Sequence, residues 1–295
     1  MRWKGRRKSG NVIDRRGRGV HRGSSGRKVG GGAVILLLLA SVFFGEDVSN
    51  ILSLFVGNAS QVDQSYEADV RSDINQETYR DSQSAAEEQA AEFVSVILAE
   101  TEDTWNAVFA QLGRTYQVPK LVLYSDQVRS ACGLGQAQSG PFYCPADYQI
   151  YLDLSFLQDL QRMGASGDFA FAYVIAHEVG HHVQSLTGIA SNVRSEQANS
   201  TKVRANALSV NMELQADCLA GIWINHTQKR SAILEDGDIE EGLAAAAAVG
   251  DDRILSQAGH AVNREAFTHG SSAERMHWFK KGASSGQLEA CNTFN

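Results

Sequence analysis

Between Asp168 and Thr187 the chain runs through eighteen residues in which Glu178 is the only Asp, Glu, Lys or Arg. A surface helix needs a charged or polar outer face, so a helix of this composition has to pass through the middle of a domain. Within it stand His177, Glu178, His181 and His182. At four residues' spacing, His177 and His181 project from one helix face, about 40° apart around the axis, which suits two nitrogen ligands of one metal ion. Glu178 lies about 100° round from His177, where a water on that ion could give up its proton. The H-E-x-x-H pattern is that of zinc peptidases, two histidine ligands with a carboxylate general base. His182, about 140° from His177, falls off the metal face.

A catalytic zinc takes three protein ligands and keeps one position for water. The stretch from Asn211 to Cys218 offers the missing one. Glu213 and Asp217 are four apart in an otherwise uncharged run, flanked by Leu214, Ala216, Leu219, Ala220 and Ile222, which make the helix too apolar to lie wholly exposed. Glu213 is the candidate third ligand of a single Zn²⁺ per chain. Asp217, one turn on, is placed to accept a hydrogen bond from the far nitrogen of a ligand histidine and to fix its tautomer.

Charge divides the chain. Residues 1–30 carry eleven Lys or Arg and one acid, Asp14, so with a net charge of −7 the remainder carries −17. The basic, glycine-rich start has no apolar periodicity and reads as a disordered tail over 1–30. It runs directly into the uncharged stretch Ala33 to Phe44, closed by Glu46 and Asp47. Lys and Arg massed before an apolar run follow the positive-inside rule, which sets the amino terminus in the cytoplasm and the later residues across the membrane. The run is short for a span, and a cleaved signal is the alternative. No small-x-small site follows closely, so an uncleaved anchor is the reading adopted, with anchor and juxtamembrane segment over 31–56 and a polar tether over 57–83. The acidic remainder argues against nucleic acid as a partner.

A folded domain is expected over 84–295. Apolar residues from Ala85 to Leu112 recur at steps of three and four, one amphipathic helix or two. Lys120–Ser125 and Tyr148–Phe156 read as strands, the second by alternation of Tyr148, Ile150, Leu152, Leu154 and Phe156. Between them Ser139-Gly140-Pro141 marks a turn. Helices are expected from the N-cap Asp168 to about Gly188, from about Val193 to Trp223, and over Gly242–Val249. Strands followed by helices without strict alternation indicate an α+β fold.

Four cysteines, all beyond the apolar run, include no C-x-x-C pair. Cys132 and Cys144 enclose a short loop between the two strands, leaving Cys218 with Cys291, and two disulfides suit an oxidising space. Four reduced thiols in a cytosolic domain would contradict the orientation read from the tail.

With these residues in place, His177-Glu178-x-x-His181 followed by Glu213-x-x-x-Asp217 resembles the glutamate-zincin plan of thermolysin-type peptidases. Gly140 to Pro145, Tyr151-Leu152-Asp153, Glu213 to Cys218, Gly250 to Arg253, Thr268 to Ser272 and Trp278-Phe279 together resemble the bacterial family of neutral zinc metallopeptidases, over essentially the whole chain. That resemblance implies a zincin-like fold, zinc and peptide-bond hydrolysis. His269 with Arg275 six residues on is also similar to a His-x-x-x-x-x-Arg element of membrane zinc peptidases that process CAAX ends. It implies His269 as donor to the reacting carbonyl oxygen and Arg275 as a supporting cation. His21, His226, His260 and His277 have no metal-ligand partner at useful spacing.

The functional expectation is a single-pass bacterial membrane protein with an extracytoplasmic zinc peptidase domain. Glu178 is its base, an extended peptide or protein is its substrate, and the strand Tyr148–Phe156 is the sheet edge that receives that substrate. The rival is a membrane-tethered binding or scaffolding protein with a purely structural zinc. Oligomeric state is not legible.

Overall fold

The computed structural model describes residues 1–17, 73–136 and 140–294, with backbone alone for 73–84. Strand β1 (Val12–Asp14) is followed by helix α1 (Asp73–Gln111), then β2 (Lys120–Tyr124), β3 (Gln127–Ser130), β4 (Gly133–Gln136), β5 (Phe142–Cys144) and β6 (Gln149–Asp153). The rest is helical: α2 (Phe156–Arg162), α3 (Asp168–Leu186), α4 (Ile189–Ala198), α5 (Lys202–Ser231), α6 (Asp238–Ala248), α7 (Asp251–Gln257) and α8 (Ser272–Ser285). Short 3₁₀ turns at Arg264–Ala266 and Leu288–Cys291 complete the described chain, and the α+β class expected from the sequence is the class observed.

Four strands form one sheet in the order β1-β2-β6-β5, with β1, β2 and β6 parallel and β5 antiparallel to β6; β3 and β4 form a separate ribbon. β2 and β6 pair Leu121 with Ile150 and Leu123 with Leu152, all four side chains buried. Helix α3 is buried along almost its whole length, as its lack of charge demands, and packs on α1, α5 and α6. Residue Gly180 sets the crossing of α3 with α5: a Cβ there would lie 3.0 Å from the Ala216 carbonyl oxygen, so the two helices approach backbone to backbone. The crossing faces His177 and His181 toward Glu213. On its other side α5 meets α8 still more tightly, since a Cβ at Gly282 would stand 1.9 Å from the Cys218 carbonyl oxygen.

Several expectations change. The long helix expected over Val193–Trp223 is two, α4 and α5, broken at Asn199-Ser200, where Thr201 caps α5 by accepting from the Arg204 amide. β6 is not the sheet edge: it lies between β2 and β5, and the outer position belongs to β5, too short to show a period in sequence. α1 begins at Asp73, inside the stretch read as a polar tether, although the buried side chains of α1 start at Phe93.

The basic start departs most. Residues 1–17 are not a disordered tail: Trp3 is 7% exposed and packs edge-on against Phe93 at 5.3 Å, and β1 pairs Ile13 with Val122. Its charges find acids far along the chain, Arg6 on Glu100 at 3.1 Å and Arg7 on Glu102 at 3.0 Å. These partners, invisible to local composition, are what order a segment that composition alone reads as unfoldable. A chain crossing a membrane once within 18–72 would leave β1 and β2 on opposite sides of the bilayer, where this sheet could not form. A cytoplasmic amino terminus joined by one crossing to a domain on the far side therefore does not fit the pairing. Among the described residues no helix is long and apolar enough to cross a membrane. The anchor at 31–56 and the tether up to residue 72 lie outside them.

Candidate metal centre

His177 and His181 stand one turn apart on α3 and Glu213 faces them from α5, their ligand atoms all within 4.8 Å of one another. His177 Nε2 lies 3.1 Å from Glu213 Oε2, and His181 Nε2 lies 3.4 Å from Glu213 Oε1. Both imidazoles therefore turn the same nitrogen inward. What fixes them is the opposite nitrogen: Nδ1 of His177 donates to Asp217 Oδ1 at 2.8 Å, and Nδ1 of His181 donates to Gln184 Oε1 at 2.9 Å. With each Nδ1 occupied, the lone pairs at Nε2 converge with a carboxylate. That two-nitrogen, one-oxygen set fits Zn²⁺ in an open catalytic site, and imidazoles backed through their second nitrogen are the usual supporting arrangement.

Asp217 is itself held rigidly. It is fully buried, accepts from Arg275 Nε at 2.8 Å and Nη2 at 2.9 Å as a two-pronged fork, and accepts the hydroxyl proton of Tyr173. Burial resists its charge, but the Arg275 guanidinium and His177 outweigh that and keep the carboxyl below its ordinary range. Glu213 is drawn well down in the same way: burial opposes its charge, and His181 and His177 overcome it. Without metal, burial likewise resists charge on His177, yet Asp217 and Glu213 raise it to about 9. A cation is what this pocket calls for, whether proton or metal.

Glu178 differs from both acids. It is buried, and that burial is the main reason its carboxyl is raised, while His181, His177 and a backbone hydrogen bond from Tyr143 pull the other way. A carboxylate with raised proton affinity beside three candidate ligands is chemically able to take a proton from a water there. Together with His177, His181, Glu213 and His269 it lines one cleft, walled by β5 through Tyr143.

His269 enters this cleft from the loop before α8. Its Nδ1 meets Asp251 Oδ1 at 3.1 Å, and Asp251 Oδ2 accepts the backbone N–H groups of Thr268, His269 and Gly270 at 2.7, 2.7 and 3.1 Å. Burial opposes charge on His269, but the hydrogen bond and charge of Asp251 and the charge of Glu213 raise its pKa above the ordinary value. Arg275 stands behind the ligands rather than over the cleft's acids: it forks onto Asp217, with Glu213 4.0 Å away. His182 is remote in role. Its Nδ1 meets Tyr143 Oη at 3.1 Å, its Nε2 meets the Gln117 carbonyl at 2.6 Å, and burial lowers it to about 4. His226 bonds the Gly286 carbonyl, and His21 lies outside the described residues.

Both expected disulfides are present. Cys132–Cys144 ties the β3–β4 ribbon to β5, and Cys218–Cys291 ties the carboxyl end to α5, the helix that carries Glu213.

Sequence reasoning missed Tyr173, Gln184 and Asp251. Tyr173 lies one turn before His177 and Gln184 one turn after His181, on the same face, so reading one turn either way along α3 would have found them. Asp251 has no such local signal, because its partners are brought to it by a loop.

Relatives agree in extent with these observations. The chain is 47% identical over 301 residues to YpfJ of Escherichia coli K12, covering 100% of this chain and 99% of that protein. It is 42% identical over 217 residues to Mb2605 of Mycobacterium bovis, covering 70% of this chain and 72% of that protein. Both relatives are described as uncharacterized, and no solved structure matches. A family model described as "Putative neutral zinc metallopeptidase" matches residues 1–294, and the chain belongs to that family.

Proposed function

We propose that this protein is a zinc-dependent peptidase that cleaves peptide or protein substrates with Glu178 as general base. The observation that carries the reading is the convergence of His177 Nε2, His181 Nε2 and the Glu213 carboxylate in a cleft that also holds a buried carboxylate of raised proton affinity, Glu178. A zinc ion held by the first three would polarise the scissile carbonyl and lower the pKa of water toward about 7. Glu178 takes the proton from the attacking water and passes it to the nitrogen that leaves as the carbon–nitrogen bond breaks. His269, its ring anchored by Asp251, presents its free nitrogen to the cleft as a donor for the developing oxyanion. β5, as the edge of the sheet beside Glu178, offers its outer backbone groups to an extended substrate, which gives sequence-tolerant binding.

Glu178→Gln is the direct test: zinc content should stay near one per chain, with peptide hydrolysis falling by about 10²–10⁴-fold. A wild-type protein that holds zinc and cleaves nothing in a peptide library would remove the enzymatic reading and leave a structural zinc.

For location, the two disulfides support an oxidising space outside the cytoplasm. The β1–β2 pairing supports the same side for residues 1–17. An impermeant thiol reagent should label a cysteine placed at the exposed Lys8 in intact cells; protection of that site until lysis would sink the assignment.

A further inference from the structure

The two histidines of the site are backed differently. His177 leans on a charged carboxylate, whereas His181 leans on a neutral amide whose own partners lead away from the cleft. Gln184, three residues on from His181 and fully buried, accepts from His181 Nδ1 at 2.9 Å. Its amide nitrogen donates to the Met212 carbonyl at 2.8 Å and to Gln215 Oε1 at 3.0 Å. Gln215, 7% exposed, in turn donates from Nε2 to the Cys291 carbonyl at 3.0 Å. Cys291 is bonded to Cys218, which lies three residues on from Gln215 along α5, and Thr293 adds a hydroxyl bond to the Asn211 carbonyl at 2.7 Å.

Each link in this series has one allowed direction. Backbone carbonyls only accept, so Met212 and Cys291 fix which end of each amide faces them. Turning Gln184 over would set its oxygen against the Met212 carbonyl and its nitrogen against His181, and turning Gln215 over would set its oxygen against the Cys291 carbonyl. With both amides fixed, only an oxygen faces His181 Nδ1, so that nitrogen must carry the hydrogen and Nε2 is left with its lone pair toward Glu213.

We propose that Gln184, Gln215 and the Cys291 carbonyl form a one-directional hydrogen-bond chain that fixes the tautomer of His181. The carboxyl-terminal segment, stapled by Cys218–Cys291, is thereby a positioning part of the metal centre. The proposal rests on the zinc reading given above. It explains why two buried glutamines stand where apolar residues would pack as well. It also gives the disulfide a second consequence, since the staple holds the last acceptor of the chain against α5.

The test uses the full chain and zinc itself. Zinc affinity is measured by competition with a chromophoric chelator, and the His181 tautomer is read from ¹⁵N-histidine spectra of the zinc-loaded protein. Gln184→Met keeps length and apolar volume but removes the amide; it should weaken zinc by about 10–100-fold and open the Nδ1 proton to fast exchange with solvent. Gln215→Met should weaken it in the same direction by less. Should Gln184→Met fail to fold, the paired Cys218→Ala, Cys291→Ala protein carries the test: it leaves every amide in place and should still lose zinc affinity, with faster exchange at Nδ1. A wild type that takes up no zinc would overturn the metal reading, and this one with it. A wild type that binds zinc, with variants within about twofold of it and an equally protected Nδ1 proton, would overturn the chain alone.

Discussion

Replacing Asp217 with asparagine should damage the metal site and the fold together, for separable reasons. The carboxylate is fully buried and takes both prongs of Arg275, at 2.8 and 2.9 Å, besides the His177 Nδ1 proton at 2.8 Å. Arg275 is 3% exposed, and the other acid near it, Glu213 at 4.0 Å, is committed to the two histidines. Asp217→Asn therefore leaves a buried guanidinium without its counter-charge, which costs about 3–5 kcal/mol. At roughly 2–4 °C per kcal/mol for a domain of this size, the melting temperature of the metal-free protein should fall by about 6–20 °C. Zinc affinity should fall by about 10–100-fold, because His177 loses the carboxylate that holds its ring and tautomer. The double variant Asp217→Asn, Arg275→Met removes both charges and should regain most of the lost melting temperature while zinc stays weak. Calorimetry and chelator competition on the same preparations measure the two effects. A single variant melting within about 2 °C of wild type, or a double variant that regains zinc affinity along with stability, would refute the account.

Three further outcomes are expected. Trp3→Ala should destabilise the domain by about 3–5 kcal/mol in chemical denaturation, since Trp3 packs in the main core; a loss near zero would return residues 1–17 to the status of a tail. Removing Cys218–Cys291, with a sequence separation of 73, should cost about 4 kcal/mol, against about 3 kcal/mol for Cys132–Cys144 with a separation of 12, and the order of the two unfolding midpoints checks this. Zinc uptake should also depend on pH. His177, raised to about 9 in the metal-free protein chiefly by Asp217 against the opposing effect of burial, must lose a proton to bind metal, so apparent affinity should weaken as pH falls below about 9. Because the folded value exceeds the ordinary 6.5, the stabilisation that His177 gives the metal-free fold is complete below about 6.5 and is lost as pH rises through about 9. Calorimetric scans between those limits should show the loss, and Asp217→Asn should remove it.

Much of the site could be read from the chain because helical periodicity makes it local. His177 and His181, or Glu213 and Asp217, share a face by spacing alone, and an uncharged run around each pair signals burial. Arg275 and His269 were reached only by resemblance, and Tyr173 was hidden among apolar neighbours that look like core. The order of the amino-terminal segment is hidden from composition because Arg6 and Arg7 are balanced by Glu100 and Glu102, some ninety residues away in sequence, and composition counts charges without seeing partners. The substrate edge was assigned to β6 rather than β5 because a three-residue strand carries too little alternation to be recognised.

The sequence by itself determined the chemistry on offer: two imidazoles and a base on one buried helix, two acids on another, and four cysteines that pair. Those follow from residue type and from spacing within single elements. Tertiary structure alone decided how the offers combine. The close crossing at Gly180 and Ala216 brings Glu213 to the histidines, the fork of Arg275 keeps Asp217 charged, Gln184 and Gln215 give His181 its direction, and β1 joins the sheet from a stretch that looked unfoldable. Each of these depends on atoms that only folding brings together, and burial is what makes their pairing strong enough to matter.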